Sequence, residues 1–402
     1  MKNSIIMKIG LVCPASLPAT QFGGILFLAL DIARETAKLS HDVVIYTTDL
    51  DFANNATTFN KKLPREESIG DFTIKRSHTW LRYSLFFINP GIYFQLLGDS
   101  PDIIHTIGIR SFQSFIAALV SKQKKIPLVA TIHHPITQDH NLSLQVAKNW
   151  KERLSTNRWH SFLRMQKKVA PKLNQIICPS EQSKEDVEKE FKVEGANIEV
   201  VLNGIDLDAF RENKGIKKVP FRIITTASAD IPLKGLRFLI EAMIGIIDEF
   251  PEAHLAVIGK AKEEGETVQQ ISKLNLKEKV SFHSELSQSE IVSLYSSAHI
   301  SVIPSLYEGF GFGAAEAMAC GLPLISTHSG GLKEVVGQDA SIIEPGSSKV
   351  IVSAVKDLFS SQEKQLTLSK MGRERMEREF NWKKAARAYE RIYVRAVEEF
   401  HN

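Results

Sequence analysis

One passage constrains the fold more than any other. Ile300-Ser-Val-Ile303 is an apolar, β-branched run that reads as a buried strand, and Pro304-Ser-Leu-Tyr-Glu-Gly-Phe-Gly311 carries it into the alanine-rich Phe312-Gly-Ala-Ala-Glu-Ala-Met-Ala319, which reads as a helix. Glu308 and Glu316 therefore flank a strand-to-helix turn. Glycines at 309, 311 and 313 let its backbone approach a ligand and take positive φ at little steric cost.

The first amides of such a helix lack partners within it and carry the positive end of its dipole, which suits a phosphate. Glu316, about one turn into the helix, can accept the paired hydroxyls of a ribose. Glu308, on the loop, can accept hydroxyls of something beyond the phosphates. Phosphate in the middle and hydroxyl acceptors at both ends describe a sugar nucleotide.

Glu308-Gly-Phe-Gly-Phe-Gly-Ala-Ala-Glu316, followed by Ala317-Met-Ala-Cys-Gly-Leu-Pro323, resembles the Glu-x7-Glu signature of the family-4 retaining glycosyltransferases. The resemblance covers nearly the full length and is strongest in the second half. It implies an α/β chain of two doubly wound Rossmann-like domains facing a cleft, the GT-B arrangement. The expected domains are 1–203, binding the acceptor, and 204–381, binding the nucleotide sugar, with 382–402 a helix crossing back to the first.

At 402 residues, 43% hydrophobic and 24% charged, the chain suits two soluble globular domains. No apolar run reaches membrane-spanning length, no signal-peptide core opens the sequence, and residues 1–6 read as a lead-in before Met7. Cys13, Cys178 and Cys320 have no metal-like spacing and read as reduced, buried thiols of a cytoplasmic protein. Residues 1–200 hold 25 Lys+Arg against 19 Asp+Glu, a balance of +6; the whole-chain totals of 50 and 46 leave 25 against 27, or −2, for the rest. The basic surface belongs to the first half.

That half alternates strand and helix patterns: strand Lys8–Pro14, glycines Gly23 and Gly24, helix Ile25–Leu39, strand Asp42–Thr48. The glycine pair falls at the carboxyl end of the first strand, where open parallel sheets bind ligands, and the resemblance places it against the donor's phosphates or sugar. Asp102–Thr106, Pro127–Pro135 and Gln175–Ser180 read as further strands and Ser111–Val120 as a helix; Ser183 with Asp186 reads as a capping box. His105 and His133 are expected at strand ends. Thr131-Ile-His133 resembles the family's Thr-x-His, whose histidine sits beside the donor sugar; His134 stands where the family usually has aspartate.

Residues 80–97, aromatic and broken by Asn89-Pro-Gly91, read first as core, with an acceptor pocket or a bilayer contact as the alternatives. Lys148–Lys172 carries eight basic residues and one acid, Glu152, among Trp150, Trp159, Phe162, Leu163 and Met165. Such a segment is either a solvated helix or a peripheral contact with an anionic membrane. No nucleic-acid recognition motif accompanies it.

Asn203-Gly-Ile-Asp206 resembles the family hinge, with Leu202 in place of proline, and polar Arg211–Lys218 reads as a linker. Asp49-Leu-Asp51 and Asp206-Leu-Asp208 lack companion ligands, so no metal ion is expected. The second half restarts the alternation with strand Phe221–Thr226, helix Leu236–Glu249, strand His254–Gly259, strand Val280–Leu286 and helix Gln288–Ser297. Lys234, just before Gly235, matches the family lysine that neutralises the donor diphosphate; Ser228 stands where the family commonly has a phosphate-binding arginine. His328–Glu334 matches the family's Gly-Gly-x-x-Glu turn, and a last helical pattern runs from Asn381-Trp382 to Phe400.

The resemblance implies retaining, metal-free transfer of a sugar from a nucleotide diphosphate sugar to a glycan or lipid-linked hydroxyl, as in cell-envelope glycan synthesis, with no cofactor besides the donor. Lys234, Glu308 and His133 are the expected catalytic residues. Gly23, Gly24, Ser228, Lys234, Glu308, Gly309, Phe310, Gly311, Phe312 and Glu316 are the expected donor contacts. A cytoplasmic enzyme, peripheral on the inner membrane face and without nucleic acid as partner, fits the same picture. A sugar-nucleotide epimerase and an inactive membrane-associated scaffold that binds sugar nucleotides are the alternatives; a dinucleotide oxidoreductase is disfavoured, because the glycine-rich turn lies deep in the second half and this chain lacks an acidic residue at the end of the next strand.

Overall fold

The computed structural model describes residues 6–20, 24–51, 58–83, 86–133, 140–141, 144, 150–163, 169–193, 197–229 and 231–401. Gly23 and His134 lie outside them. The chain divides into two compact units, Met1–Asn203 with Trp382–Asn402, and Gly204–Asn381.

The first unit is built on an eight-stranded sheet. Lys8–Val12 pairs in parallel with Asp42–Thr48 on one side and Ile103–Ile107 on the other. Beyond Ile103–Ile107 come Leu128–Thr131, Gln175–Cys178 and Ile198–Val200; beyond Asp42–Thr48 come Phe72–Ser77 and, antiparallel at the edge, Glu66–Ile69. The central strands are apolar at nearly every position because helices cover both faces. One face packs against Gly24–Ala37 and Trp382–His401; the other packs against Gly91–Asp99 and Phe112–Lys124. Trp382, Ala385, Tyr389, Ile392, Tyr393 and Ala396 form the buried stripe of the last helix, at the three-and-four spacing that keeps one face inward. Each large apolar side chain so buried contributes roughly 1.5–3 kcal/mol.

Several expectations need correction. His105 is not at a strand end: the strand runs Ile103–Ile107, and the imidazole is fully buried between Tyr393 Oη at 2.7 Å and Thr131 Oγ1 at 2.8 Å. Burial pushes its pKa down to about 3, so it is a neutral core residue. The helix Glu181–Phe191 is capped by Ser180, whose hydroxyl accepts from the Ser183 amide at 3.1 Å, rather than by Ser183. Residues 80–97 split between two environments: Phe87, Ile92 and Leu96 are core, whereas Trp80, Leu81 and Phe94 are exposed on the hairpin Leu81–Tyr83/Phe86–Ile88 and the helix Gly91–Asp99. All three cysteines are buried and unpaired, and burial pushes the Cys13 thiol up to about 12.

The described residues of the basic segment form the helix Trp150–Leu163, which exposes Trp150 and Leu154, and a short turn Ala170–Lys172. Among the described residues no helix is long and apolar enough to cross a membrane.

The second unit holds a six-stranded, wholly parallel sheet in the order Val280–His283, His254–Ile258, Arg222–Thr226, Ile300–Ile303, Leu324–Ser326, Ser341–Ile342. Chain order reverses between Arg222–Thr226 and Ile300–Ile303, and ligands bind at the carboxyl ends of strands at such a switch. Leu236–Ile247 and Ser348–Phe359 bury one face of this sheet. The stretch Arg211–Lys218, polar enough to read as a linker, is part of this unit, and the Asn213 amide donates to Ser296 Oγ at 2.9 Å.

Candidate active site

Two loops leave the switch point side by side. Ile300–Ile303 is wholly buried and ends in Pro304 and Ser305; Arg222–Thr226 ends in Ala227, Ser228 and Ala229 and reaches the one-turn helix Pro232–Lys234. The Leu306 amide donates to the Leu233 carbonyl at 2.7 Å, and Gly235 makes the close approach possible: a Cβ there would lie 2.0 Å from the Pro304 carbonyl oxygen, at φ +65°. The sequence Lys-Gly is thereby explained, since glycine after Lys234 lets that side chain reach the loop of Glu308.

There the two side chains meet. Lys234 Nζ lies 2.7 Å from Glu308 Oε1 and 2.9 Å from Oε2, and Ser305 Oγ donates to Oε1 at 2.8 Å. The lysine side chain is 32% exposed and the glutamate 13%, so the pair is open on the lysine side. Behind it, the Gly331 amide donates to the Glu308 carbonyl at 2.7 Å. A Cβ at Gly330 would meet the Glu308 carbonyl oxygen at 2.2 Å, and one at Gly331 the Gly309 oxygen at 2.3 Å, so the Gly330-Gly331 turn is the backing on which the glutamate loop rests.

The helix Phe312–Ala319 begins at Gly311, at φ +109°. The amides of Ala314 and Ala315 both bond to the Gly311 carbonyl, which leaves those of Phe312 and Gly313 at the open end with the dipole behind them. Gly313 seats the helix on the sheet, for a Cβ would lie 2.8 Å from Thr226 Cβ. The Phe310 side chain is buried against Phe312 and Phe380, so a donor contact there would fall to its backbone.

Glu316 is held by a residue that the sequence reading passed over. Tyr295, fully buried on the helix Gln288–Ser297, donates its hydroxyl to Glu316 Oε2 at 3.1 Å and shares a hydrogen bond with Thr226 Oγ1 at 2.8 Å. Burial pushes the Glu316 pKa up to about 7, and the tyrosine hydrogen bond opposes that shift. A tyrosine among the apolar positions of a helix whose buried hydroxyl needs a partner was the available signal.

Ser228 is exposed. Of the expected residues in the first unit, Gly24 opens the helix Gly24–Ala37, and His133 accepts a hydrogen bond from Ser183 Oγ on its carbonyl at 2.8 Å. Asp49, Asp51 and Asp206 are engaged locally by the Thr79 amide, Asn60 Nδ2 and the Ala209 amide.

A parallel switch point with a lysine–glutamate ion pair bridging its two loops, a glycine-started helix and a second glutamate on that helix fit one class: a glycosyltransferase of the GT-B fold, with two Rossmann-like domains in one chain. The comparisons with known proteins agree. Residues 22–209 match the model "Glycosyltransferase Family 4" and residues 208–375 match "Glycosyl transferases group 1". The chain belongs to the family-4 glycosyltransferases.

Among curated relatives, the MMP alpha-(1->4)-mannosyltransferase of Mycolicibacterium hassiacum is 35% identical over 67% of this chain and 66% of its own length. The D-inositol 3-phosphate glycosyltransferase of Xylanimonas cellulosilytica is 25% identical over 55% and 57%. The matched stretches thus span about two thirds or less of these relatives. Sucrose-phosphate synthase from Thermosynechococcus elongatus shares the fold at a TM-score of 0.74 with 20% identity, covering 98% of this chain and 99% of that one. HepE of Anabaena, solved with UDP and glucose, shares it at 0.71 with 18% identity, covering 98% and 100%.

Proposed function

We propose that the protein transfers a sugar from a nucleotide diphosphate sugar to a glycan or lipid-linked hydroxyl, with retention at the anomeric carbon and without a metal ion or any cofactor besides the donor. The observation that carries this reading is the Lys234–Glu308 pair set beside the open end of the Phe312–Ala319 helix, with Glu316 one turn along it. The family relationship, the mannosyltransferase relative and the UDP-bound fold neighbour support it.

The barrier lies in breaking the bond from the anomeric carbon to the diphosphate, and charge develops on the leaving oxygen. Lys234 and the first helix amides supply the opposing charge, already in place before reaction. Glu308 accepts hydroxyls of the sugar and Glu316 those of the ribose. The departing phosphate serves as base for the acceptor hydroxyl. The roles of Gly23, Gly24 and His133 toward the donor rest on the family relationship alone. A cytoplasmic place of action, peripheral on an anionic membrane through the Lys148–Lys172 segment, belongs to the same proposal and is supported by exposed Trp150 and Leu154.

The test is a panel of nucleotide sugars scored for protection against thermal unfolding, because a ligand that binds only the folded form raises its stability. The protecting donor is then turned over with hydroxyl acceptors, and the anomeric configuration of the product is read by NMR. Retention supports the proposal. Turnover of the donor without any acceptor supports an epimerase instead, and protection by none of the panel contradicts both.

A further inference from the structure

Among the described residues of the second unit, those named for the donor site carry little net positive charge. Lys234 is bonded to both oxygens of Glu308, so the pair is neutral as a unit, while a nucleoside diphosphate carries at least two negative charges. A helix terminus contributes the equivalent of roughly half a charge. Ser228, exposed on the loop that leads to Lys234, contributes none.

The loop after the adjoining strand holds a cation. His254–Ile258 runs parallel to Arg222–Thr226 and ends beside it in Gly259 and Lys260. The two loops are joined on both sides of Ser228: the Ala227 amide donates to the Ile258 carbonyl at 3.0 Å, and the Ala229 amide to the Lys260 carbonyl at 3.1 Å. Gly259 makes the approach possible, since a Cβ there would lie 2.0 Å from the Ala227 oxygen and 3.2 Å from the Ser228 nitrogen. The Lys260 side chain is 76% exposed, and its ion partner, Glu285 Oε1, is 4.0 Å away and itself 48% exposed. So loose and solvated a pair holds the ammonium weakly. A flexible four-carbon stem can leave it for a diphosphate at little cost.

We propose that Lys260 is a donor-binding cation that contacts the diphosphate, supplying from the neighbouring strand the charge that position 228 lacks. This rests on the donor site proposed above and goes beyond it in naming a residue outside the glutamate signature. Lys234 then meets one phosphate from its place beside Glu308 while Lys260 meets the other.

Calorimetry of UDP, GDP and ADP, each beside its nucleoside, on the full chain and three variants tests this. Lys260→Gln is expected to bind the preferred diphosphate about tenfold more weakly, the loss of one charge-assisted hydrogen bond, with nucleoside affinity and melting temperature unchanged. Lys262→Gln, a neighbouring exposed lysine, is expected to bind as the unaltered protein does. Adding Ser228→Arg to Lys260→Gln is expected to restore the affinity. Equal diphosphate affinity in Lys260→Gln and the unaltered protein overturns the inference and leaves the donor site standing. Diphosphate binding by none of the proteins overturns both.

Discussion

Lys234 and Glu308, 74 residues apart in sequence, are bonded through both carboxylate oxygens, at 2.7 and 2.9 Å. The bond fixes two long side chains at the end of a sheet before any ligand arrives, so their positions need not be paid for in entropy when the donor binds.

Removing the cation should therefore cost rate. Lys234→Ala is expected to lower the single-turnover rate by about 10²- to 10³-fold while acceptor binding changes little. Because the two groups share one interaction, Lys234→Ala combined with Glu308→Ala should fall well short of the sum of the single effects in a double-mutant cycle. An unaltered single-turnover rate in Lys234→Ala would remove the lysine from the chemistry.

Glu316 should impose a pH dependence. Only the ionised carboxylate is acceptor-only, and its pKa is raised from 4.5 to about 7 by burial. Donor affinity is expected to weaken as pH falls below about 7, approaching tenfold per unit. Tyr295→Phe, which removes the hydrogen bond that lowers this pKa, should move the midpoint upward. Titrations of the donor from pH 5.5 to 8.5 read both effects.

The same shift has a sign for stability. A carboxyl whose folded pKa exceeds its unfolded value contributes stability that is full below about 4.5 and lost as pH rises through about 7. Glu316→Gln should thus gain in denaturation midpoint relative to the unaltered protein on going from pH 5 to pH 8. A constant difference across that range would contradict the raised pKa.

Gly235 should tolerate no side chain. Gly235→Ala would place a Cβ 2.0 Å from the Pro304 oxygen at φ +65°, so a loss of more than about 2 kcal/mol is expected, with weakened donor binding as the lysine turn lifts from the loop. Urea unfolding and donor calorimetry on the one variant measure the two together.

His105 provides the contrast. His105→Ala leaves a cavity and two hydroxyls, Tyr393 Oη and Thr131 Oγ1, without their partner, and should cost roughly 2–4 kcal/mol with donor affinity unchanged. A loss of donor affinity at full stability would contradict its assignment to the core.

How far the chain could be read in advance followed from how local the determining physics is. Ile300–Ile303 and Gln288–Ser297 were legible to the residue, the first as a β-branched run; the structure adds that Ser287 and Glu290 close a capping box at the start of the second. The edge strand Glu66–Ile69 was not, since it alternates exposed polar with half-buried residues and carries no continuous apolar run. His105 was misplaced by a strand boundary one residue off, enough to put a residue from inside a buried strand at its end. Lys234 and Glu308 were each legible as candidates; their bond was not, because it depends on the fit of Gly235 against Pro304, which no spacing reveals.

The central claim is that Glu316 grips the ribose of a nucleotide whose diphosphate lies at the start of its helix. Calorimetric titration of the protecting nucleoside diphosphate into the unaltered protein and Glu316→Ala tests it most directly. The account predicts that the variant, still folded, binds at least tenfold more weakly; equal affinity in the two proteins would contradict it.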